Sequence, residues 1–275
     1  MKKYQLIIAA AAICTALVSC TINVDGENFG GKTVKGNGNI VTRNYDVTDF
    51  NEISASLSAT INFTIADNYS CTVTTDENLF EYIEIMVDDK DLHLRKLDEH
   101  KNVGLRATKM VIDVTAPSLE NINLAGSGTF NALSPLNAEK MEVNLAGSGD
   151  VVLKQTVTAQ YIELNVAGSG DLFCQEVMAD TLEANVAGSG DIKVANGTAK
   201  KAEVSVAGSG DINLSCEIDV LSADVAGSGD IVAKVNDTLE YSVIGSGDIT
   251  YYGNAVVKGD KMGLGSVHHK EASKD

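Results

Sequence analysis

Apolar and polar residues alternate with a period of two on both sides of a Gly-Ser-Gly tripeptide that occurs seven times in the chain. The first glycines of the copies, which follow one another at intervals of 18 to 21 residues, are Gly126, Gly147, Gly168, Gly188, Gly208, Gly227 and Gly245. Valine, isoleucine and leucine dominate the apolar positions, as at Val166 before one motif and Leu172 after it. Strict alternation of such residues predicts two short strands per repeat, each with one buried face.

Equivalent residues of successive repeats are expected to stack, because a single repeat cannot bury its apolar faces alone. The predicted fold class is all-β: a right-handed parallel β-helix (β-solenoid) with coils of about 18–21 residues. Regular coils are assigned to residues 119–268. Residues 46–118 keep the alternation without the motif and are assigned to irregular coils that cap the stack, so that the solenoid spans residues 46–268. Glycine suits the motif, since the turn is sharp and successive coils approach closely.

The N-terminus has the features of a targeting segment. Lys2 and Lys3 precede an apolar run that is too short to span a bilayer and ends in Leu-Val-Ser-Cys at Cys20. This ending resembles the lipobox of bacterial lipoproteins, which implies removal of residues 1–19 and lipidation of Cys20 with several acyl chains, palmitate among them. An ordinary secretory signal is the alternative. The glycine- and asparagine-rich residues 20–45 predict a flexible tether, and residues 269–275 predict a tail.

The charge of the chain limits its partners. Its formal net charge is −17, and removal of Lys2 and Lys3 would make it more negative. Such a surface repels nucleic acid, so the expected partners are the membrane through the lipid anchor, glycans, cations or other envelope proteins. Beyond Cys14 and Cys20, the three cysteines Cys71, Cys174 and Cys216 have no metal-ligand spacing. Buried free thiols are expected, with one disulfide as the alternative.

An aspartate follows six of the motifs, and stacking would align these carboxylates in a ladder. The six residues are Asp150, Asp171, Asp191, Asp211, Asp230 and Asp248. A carboxylate that accepts a backbone N–H bond within its own turn would explain them without a metal. The alternative is a Ca²⁺ ladder, because arrays of carboxylate and carbonyl oxygen suit this ion. No other cofactor is expected.

A second set of polar residues is predicted to form an outward-facing stripe before the motifs. It consists of Glu142, Glu163, Glu183 and Glu203 next to Asn144, Asn165 and Asn185. Such rows could bind sugars or basic surfaces, or be only a solvated face. Paired carboxylates can hydrolyse glycosidic bonds, but these recur from coil to coil, whereas a catalytic pair would break the repeat. The four histidines are peripheral, and we expect no catalytic residues.

Two short segments, Asp180-Thr181-Leu182 and Asp237-Thr238-Leu239, resemble an O-glycosylation sequon of certain Gram-negative bacteria. The resemblance makes Thr181 and Thr238 candidate modification sites.

The opening Arg-Asn-Tyr-Asp-Val-Thr-Asp-Phe-Asn-Glu-Ile at residues 43–53, the lipoprotein signal and the repeated Ala-Gly-Ser-Gly-Asp resemble the auto-transporter adhesin, head GIN domain family. The resemblance covers residues 43–268. It implies a β-helix of the cell envelope, in the outer membrane by the lipobox, and carries no catalytic residues. The leading interpretation is a non-enzymatic adhesion or glycan-binding module. A structural envelope protein without a soluble ligand is the alternative, and a polysaccharide-active enzyme is less favoured.

Overall fold

The computed structural model describes residues 32–271, so the predicted signal peptide, Cys20, the first part of the predicted tether and residues 272–275 lie outside it. The described chain is a β-solenoid of about eight turns with coils of about 20 residues. The strands of its first part are β1 (Thr33–Lys35), β2 (Ile40–Tyr45), β3 (Glu52–Ala55), β4 (Thr60–Ile65), β5 (Ser70–Asp76), β6 (Ile83–Asp88), β7 (Asp91–Lys96), β8 (Gly104–Arg106) and β9 (Met110–Ala116). Two 3₁₀ helices, Glu77–Tyr82 and Asp98–His100, interrupt this part.

The regular part contains both short strands and long strands of 15 to 19 residues. They are β10 (Asn121–Gly126), β11 (Thr129–Ala132), β12 (Leu136–Asn137), β13 (Lys140–Gly147), β14 (Asp150–Gly168), β15 (Leu172–Gly188), β16 (Ile192–Val194), β17 (Gly197–Gly208), β18 (Ile212–Gly227), β19 (Ile231–Gly245), β20 (Ile249–Tyr252), β21 (Val256–Gly263) and β22 (Val267–Lys270). The long strands continue around a corner of the coil and therefore pair in two places, as β14 does with β15.

The apolar positions stack in register, as the repeat predicts. Val166 pairs with Val186, and Val186 pairs with Val206, all in parallel strands. Each of the three residues is at most 2% exposed. The prediction of one dry interior built from equivalent side chains is confirmed.

An irregular region closes the N-terminal end, as predicted for residues 46–118. Strand β7 pairs in parallel with β3, and β9 pairs in parallel with β4, so this segment adds one more coil beside the first. Beyond it, β6 pairs with β7 and β5 pairs with β9 in antiparallel fashion. The expectation that all sheets are parallel is therefore wrong here, because hairpin-like returns end the stack instead of another coil.

The flexible tether predicted for residues 20–45 is wrong over its described second half. Strand β1 pairs with β8, and β2 pairs with β5 along its whole length. The composition is typical of a loop, but pairing with an edge strand satisfies the backbone groups of residues 40–45. In addition, the guanidinium of Arg43 lies 4.1 Å from the centre of the Phe80 ring.

A buried carboxylate attaches the loop between β1 and β2 to the rest of the cap. Asp76 is 0% exposed, and its two carboxylate oxygens accept backbone N–H bonds from Gly38 and Thr108, both at 2.7 Å. Burial raises the pKa of the Asp76 carboxyl, but the bonds from the backbone of Thr108 and Gly38 outweigh it and hold the pKa below its ordinary value.

We expect Asp76→Asn to lower the melting temperature by about 4 °C or more at neutral pH, because the amide cannot accept two N–H bonds as a carboxylate does. The wild-type contribution should be complete above the ordinary aspartate pKa of about 3.9 and be lost as the pH falls through the depressed pKa of the folded state. Melting curves across acidic pH measure both effects. Asp67→Asn, at an exposed carboxylate, is the control. Equal melting temperatures for wild type and Asp76→Asn would contradict this role.

At the C-terminal end of the stack, residues other than large apolar ones occupy the positions that face the core in earlier coils. Gly259 lies over the Tyr241 ring, and Lys261, which is exposed and takes the place of the buried Val243, donates to the Gly265 carbonyl at 3.3 Å. His269 donates to the Gly253 carbonyl at 2.8 Å and stacks on Tyr251 with ring centres 4.9 Å apart. The predicted tail at residues 269–275 thus begins too early, because β22 continues to Lys270.

The three cysteines are buried free thiols, which confirms the favoured prediction over the disulfide. Burial raises the pKa of Cys71 and of Cys174 to about 12, and that of Cys216 to about 11. The thiols are therefore protonated at physiological pH and act as small apolar groups in the core.

Candidate functional site

Five of the six aspartates after the motifs, from Asp171 to Asp248, form a ladder of hydrogen bonds that run between coils. Asp150, the first of the six, pairs in register with Thr129 of the preceding coil. One carboxylate oxygen of Asp191 accepts the backbone N–H of Asp211 at 2.8 Å, and that of Asp211 accepts the N–H of Asp230 at the same distance. Asp171, Asp230 and Asp248 accept the corresponding N–H of the next coil in the same way. The bond that the sequence led us to expect within one turn therefore joins neighbouring coils instead. The ladder thus satisfies one backbone N–H donor in each following coil.

The glutamate and asparagine stripe is a connected hydrogen-bond network. The side-chain amide of Asn165 donates to Asn144 at 2.9 Å and to Glu163 at 3.0 Å. Asn144 donates in the same pattern, to Asn123 and Glu142, whereas Asn185 donates to Asn165, and Asn165 is only 3% exposed. Lys140 forms ion pairs with Glu142 at 2.9 Å and with Glu163 at 3.5 Å. Glu183 and Glu203 continue the row in register, and Lys201 pairs with Glu203. Much of the polar capacity is already used within the sheet.

The two candidate glycosylation sites lie on the outer surface. Thr181 and Thr238 are both partly exposed residues of long strands, β15 and β19. Their modification stays a prediction, which the intact mass of the exported protein tests.

A groove that the sequence analysis did not predict runs along one corner of the solenoid. Its volume is about 560 Å³, and it crosses successive coils from Ala138 to Asn236. We call it the corner groove. The remaining lining residues are Thr158, Ala159, Gln160, Met178, Ala179, Asp180, Thr198, Ala199, Lys200, Glu217 and Asp219. At a rise of about 4.8 Å per coil, five steps between coils give a length of about 24 Å.

Small residues in one column create the corner groove. Ala159, Ala179 and Ala199 occupy equivalent places in successive coils, and Ala138 lies one coil before them. The next residue of the column is Ile218, which is fully buried and does not line the groove. Four alanines at intervals of 20 or 21 residues were visible in the sequence, but only the fold shows that they lie at a concave corner.

The walls of the corner groove are polar and weakly acidic. The residues on either side of each alanine include Thr158 and Gln160, Met178 and Asp180, and Thr198 and Lys200. The Lys200 ammonium lies 2.6 Å from the Asp180 carboxylate, in an exposed pair that contributes little to stability. Three carboxylates, Asp180, Glu217 and Asp219, outnumber this one ammonium group among the lining residues. The groove can therefore offer hydrogen bonds along its length to an uncharged chain.

Neither a metal-binding cluster nor a membrane-spanning helix is found among the described residues. Within residues 32–271, no group of three or more His, Cys, Asp or Glu side chains is arranged to hold a metal ion. No helix in this same range has both the length and the apolar character needed to cross a bilayer.

These features define a class: β-solenoids built from stacked Gly-Ser-Gly coils, with a capped N-terminal end and a lateral groove. The sequence matches the family described as "Putative auto-transporter adhesin, head GIN domain" over residues 49–170 and 143–255. The chain belongs to this family, which suggests a protein of the cell envelope. A comparison with curated protein sequences gives no match.

Several solved bacterial structures resemble the chain over most of its length. A putative lipid binding protein from Parabacteroides distasonis is 34% identical with a TM-score of 0.83, and the match covers 87% of this chain and 100% of that one. A putative adhesin from Parabacteroides merdae is 28% identical with a TM-score of 0.79, covering 87% and 99%. A putative adhesin from Bacteroides fragilis is 25% identical with a TM-score of 0.62, covering 86% and 100%. The family and these neighbours are described as adhesins or binding proteins.

Proposed function

We propose that the protein is a non-enzymatic binding module of the bacterial envelope that holds an extended, neutral glycan in the corner groove. The observation that carries this proposal is the continuous groove over successive coils, with alanines along its floor and hydrogen-bonding side chains on both walls. The adhesin descriptions of the family and of two neighbours agree with such a role.

The repeat of the groove suits a polymer. Equivalent side chains recur at about 4.8 Å along the axis, which is comparable with the length of one sugar unit in a polysaccharide. Threonine, glutamine and asparagine side chains can bond sugar hydroxyls, while the alanines and Met178 can contact the apolar faces of the rings. Because the chain carries a net charge of −17, a neutral glycan is favoured over an acidic one.

A lipid ligand is the competing possibility, since one neighbour is described as a putative lipid binding protein. An acyl chain needs a continuous apolar lining. Most residues on the walls of the corner groove are polar or charged, with Met178 as an apolar exception, and such a lining suits a chain of hydroxyls better.

The test is a glycan array that contains neutral and acidic oligosaccharides of increasing length. We expect binding to neutral glycans that strengthens with length until the groove is filled. Thr198→Trp, at an exposed position in the groove, should weaken this binding at least about tenfold, because the indole fills the channel. Gln175→Trp, at an exposed position outside it, is the matched control. Absence of glycan binding, or equal binding by wild type and Thr198→Trp, would contradict the proposal.

We also propose that acyl chains on Cys20 hold the module in the outer membrane. The support is the lipobox resemblance together with family membership. Labelling of cells with a palmitate analogue tests this anchor. Label on the wild-type chain that is lost in Cys20→Ser supports it, and an unlabelled wild type or a labelled Cys20→Ser contradicts it.

A further inference from the structure

Strand β21, the last of the stacked strands that end at the first glycine of the turn, has a neighbour on one side only among the described residues. It pairs with β19, and no described strand lies on its other side. The carbonyl of Tyr241 points toward Gly259, its in-register neighbour in β21. In a parallel pair, the N–H and C=O groups of alternate residues point to opposite sides of the strand. Since those of Tyr241 point toward Gly259, those of Val257, Gly259 and Lys261 point away from β19, toward the place where a further coil would stack. An edge of this kind can accept another strand.

The outward-facing side chains of β21 are arranged symmetrically about Gly259. Val256 and Met262 are apolar and 59% and 74% exposed, while Lys258 and Asp260 carry opposite charges. If two copies of β21 meet antiparallel with Gly259 opposite Gly259, then Lys258 of each copy faces Asp260 of the other. In the same register, Val256 of each copy faces Met262 of the other.

The backbone geometry selects this same register. In an antiparallel pair, hydrogen-bonded residues alternate with non-hydrogen-bonded ones whose side chains are closer. Val257, Gly259 and Lys261 have outward backbone groups and would form the hydrogen-bonded pairs. Lys258 would then face Asp260, and Val256 would face Met262, at the closely spaced positions where cross-strand contacts are strongest.

We propose that two copies of this chain associate tail to tail by antiparallel pairing of their β21 strands about a two-fold axis at Gly259. The interface is isologous, so every contact occurs twice and the assembly closes as a dimer. The two solenoids extend in opposite directions, and each dimer presents two corner grooves. This inference does not depend on what those grooves bind.

The experiment is sedimentation equilibrium of the full chain in density-matched detergent, with charge-exchange variants. Wild type should form a dimer. Lys258→Asp and Asp260→Lys each place like charges opposite one another twice, so each should raise the dimer dissociation constant at least about tenfold. The double variant Lys258→Asp/Asp260→Lys restores opposite charges and should recover dimerisation to within about threefold. The control variant Lys193→Asp, which replaces an exposed lysine in β16, should leave the dimer dissociation constant unchanged.

Met262→Asp is a second, independent variant, because it removes the apolar contact and should also weaken the dimer. Circular dichroism melts of each variant establish that the coils remain folded. A monomeric wild type, single exchanges that dimerise as tightly as wild type, or a double exchange that does not recover would each overturn the proposal.

Discussion

Gly188→Val should destabilise the protein by about 4 kcal/mol or more, or prevent folding altogether. Two independent effects combine at this residue. Its φ is +135°, a conformation that a β-branched residue rarely adopts. A Cβ atom there would also lie 2.2 Å from the Gly168 carbonyl oxygen of the preceding coil. Because that neighbour is backbone, relief would require two stacked coils to separate.

Thermal and urea unfolding of Gly188→Val measures this effect, with Ala187→Val as the matched control. Ala187 is the adjacent residue, and its column contains the larger Ile244 in the last Gly-Ser-Gly coil, so a valine should change stability by about 1 kcal/mol or less. Both glycines of the motif require close approach to the backbone of the preceding coil. In Gly190, the second glycine of the same copy, φ is not in the left-handed region, yet a Cβ would lie 2.1 Å from the Gly170 carbonyl oxygen. A Gly188→Val protein as stable as wild type would contradict the stacking.

Val186→Asp should also cost about 4 kcal/mol or more, because it places a carboxylate without a partner in the dry interior. Val186 lies between Val166 and Val206 and is 2% exposed. The carboxylate would have to be protonated to remain there, so the destabilisation should be smaller in acid than at neutral pH.

Met178→Asp is the control for Val186→Asp, since both replace an apolar residue of β15 with aspartate. Met178 is 49% exposed, so its replacement should change stability by about 1 kcal/mol or less. Urea unfolding at neutral and acidic pH compares the two variants. Similar losses for both would mean that the alternation along β15 does not separate a buried face from an exposed one.

The sequence predicted the features that depend on repetition. The stacking of Val166 on Val186 and the alignment of Asp191 with Asp211 follow from the fixed spacing of these residues. The register between coils, and which side chains face the core, could therefore be inferred without coordinates. The direction of the aspartate bond could not, because bonds within a turn and bonds to the next coil are equally compatible with the same spacing.

Features that depend on distant partners were missed. Residues 40–45 resemble a tether in composition, and only their pairing with β5, some thirty residues later, makes them a strand. The column of Ala159, Ala179 and Ala199 gave no indication of a groove, because its concavity arises where the coil bends. His269 lies in a polar segment near the C-terminus that resembles a tail, yet its hydrogen bond to the Gly253 carbonyl places it in the final coil.

Nuclear Overhauser contacts between the methyl groups of Val166, Val186 and Val206 test the central claim most directly. Methyl-labelled protein should show cross-peaks from Val166 to Val186 and from Val186 to Val206, since their backbones lie about 4.8 Å apart, and none from these methyl groups to water. Missing cross-peaks between neighbours, or strong cross-peaks from these methyl groups to water, would contradict the stacked, dry interior from which the corner groove and the β21 edge are derived.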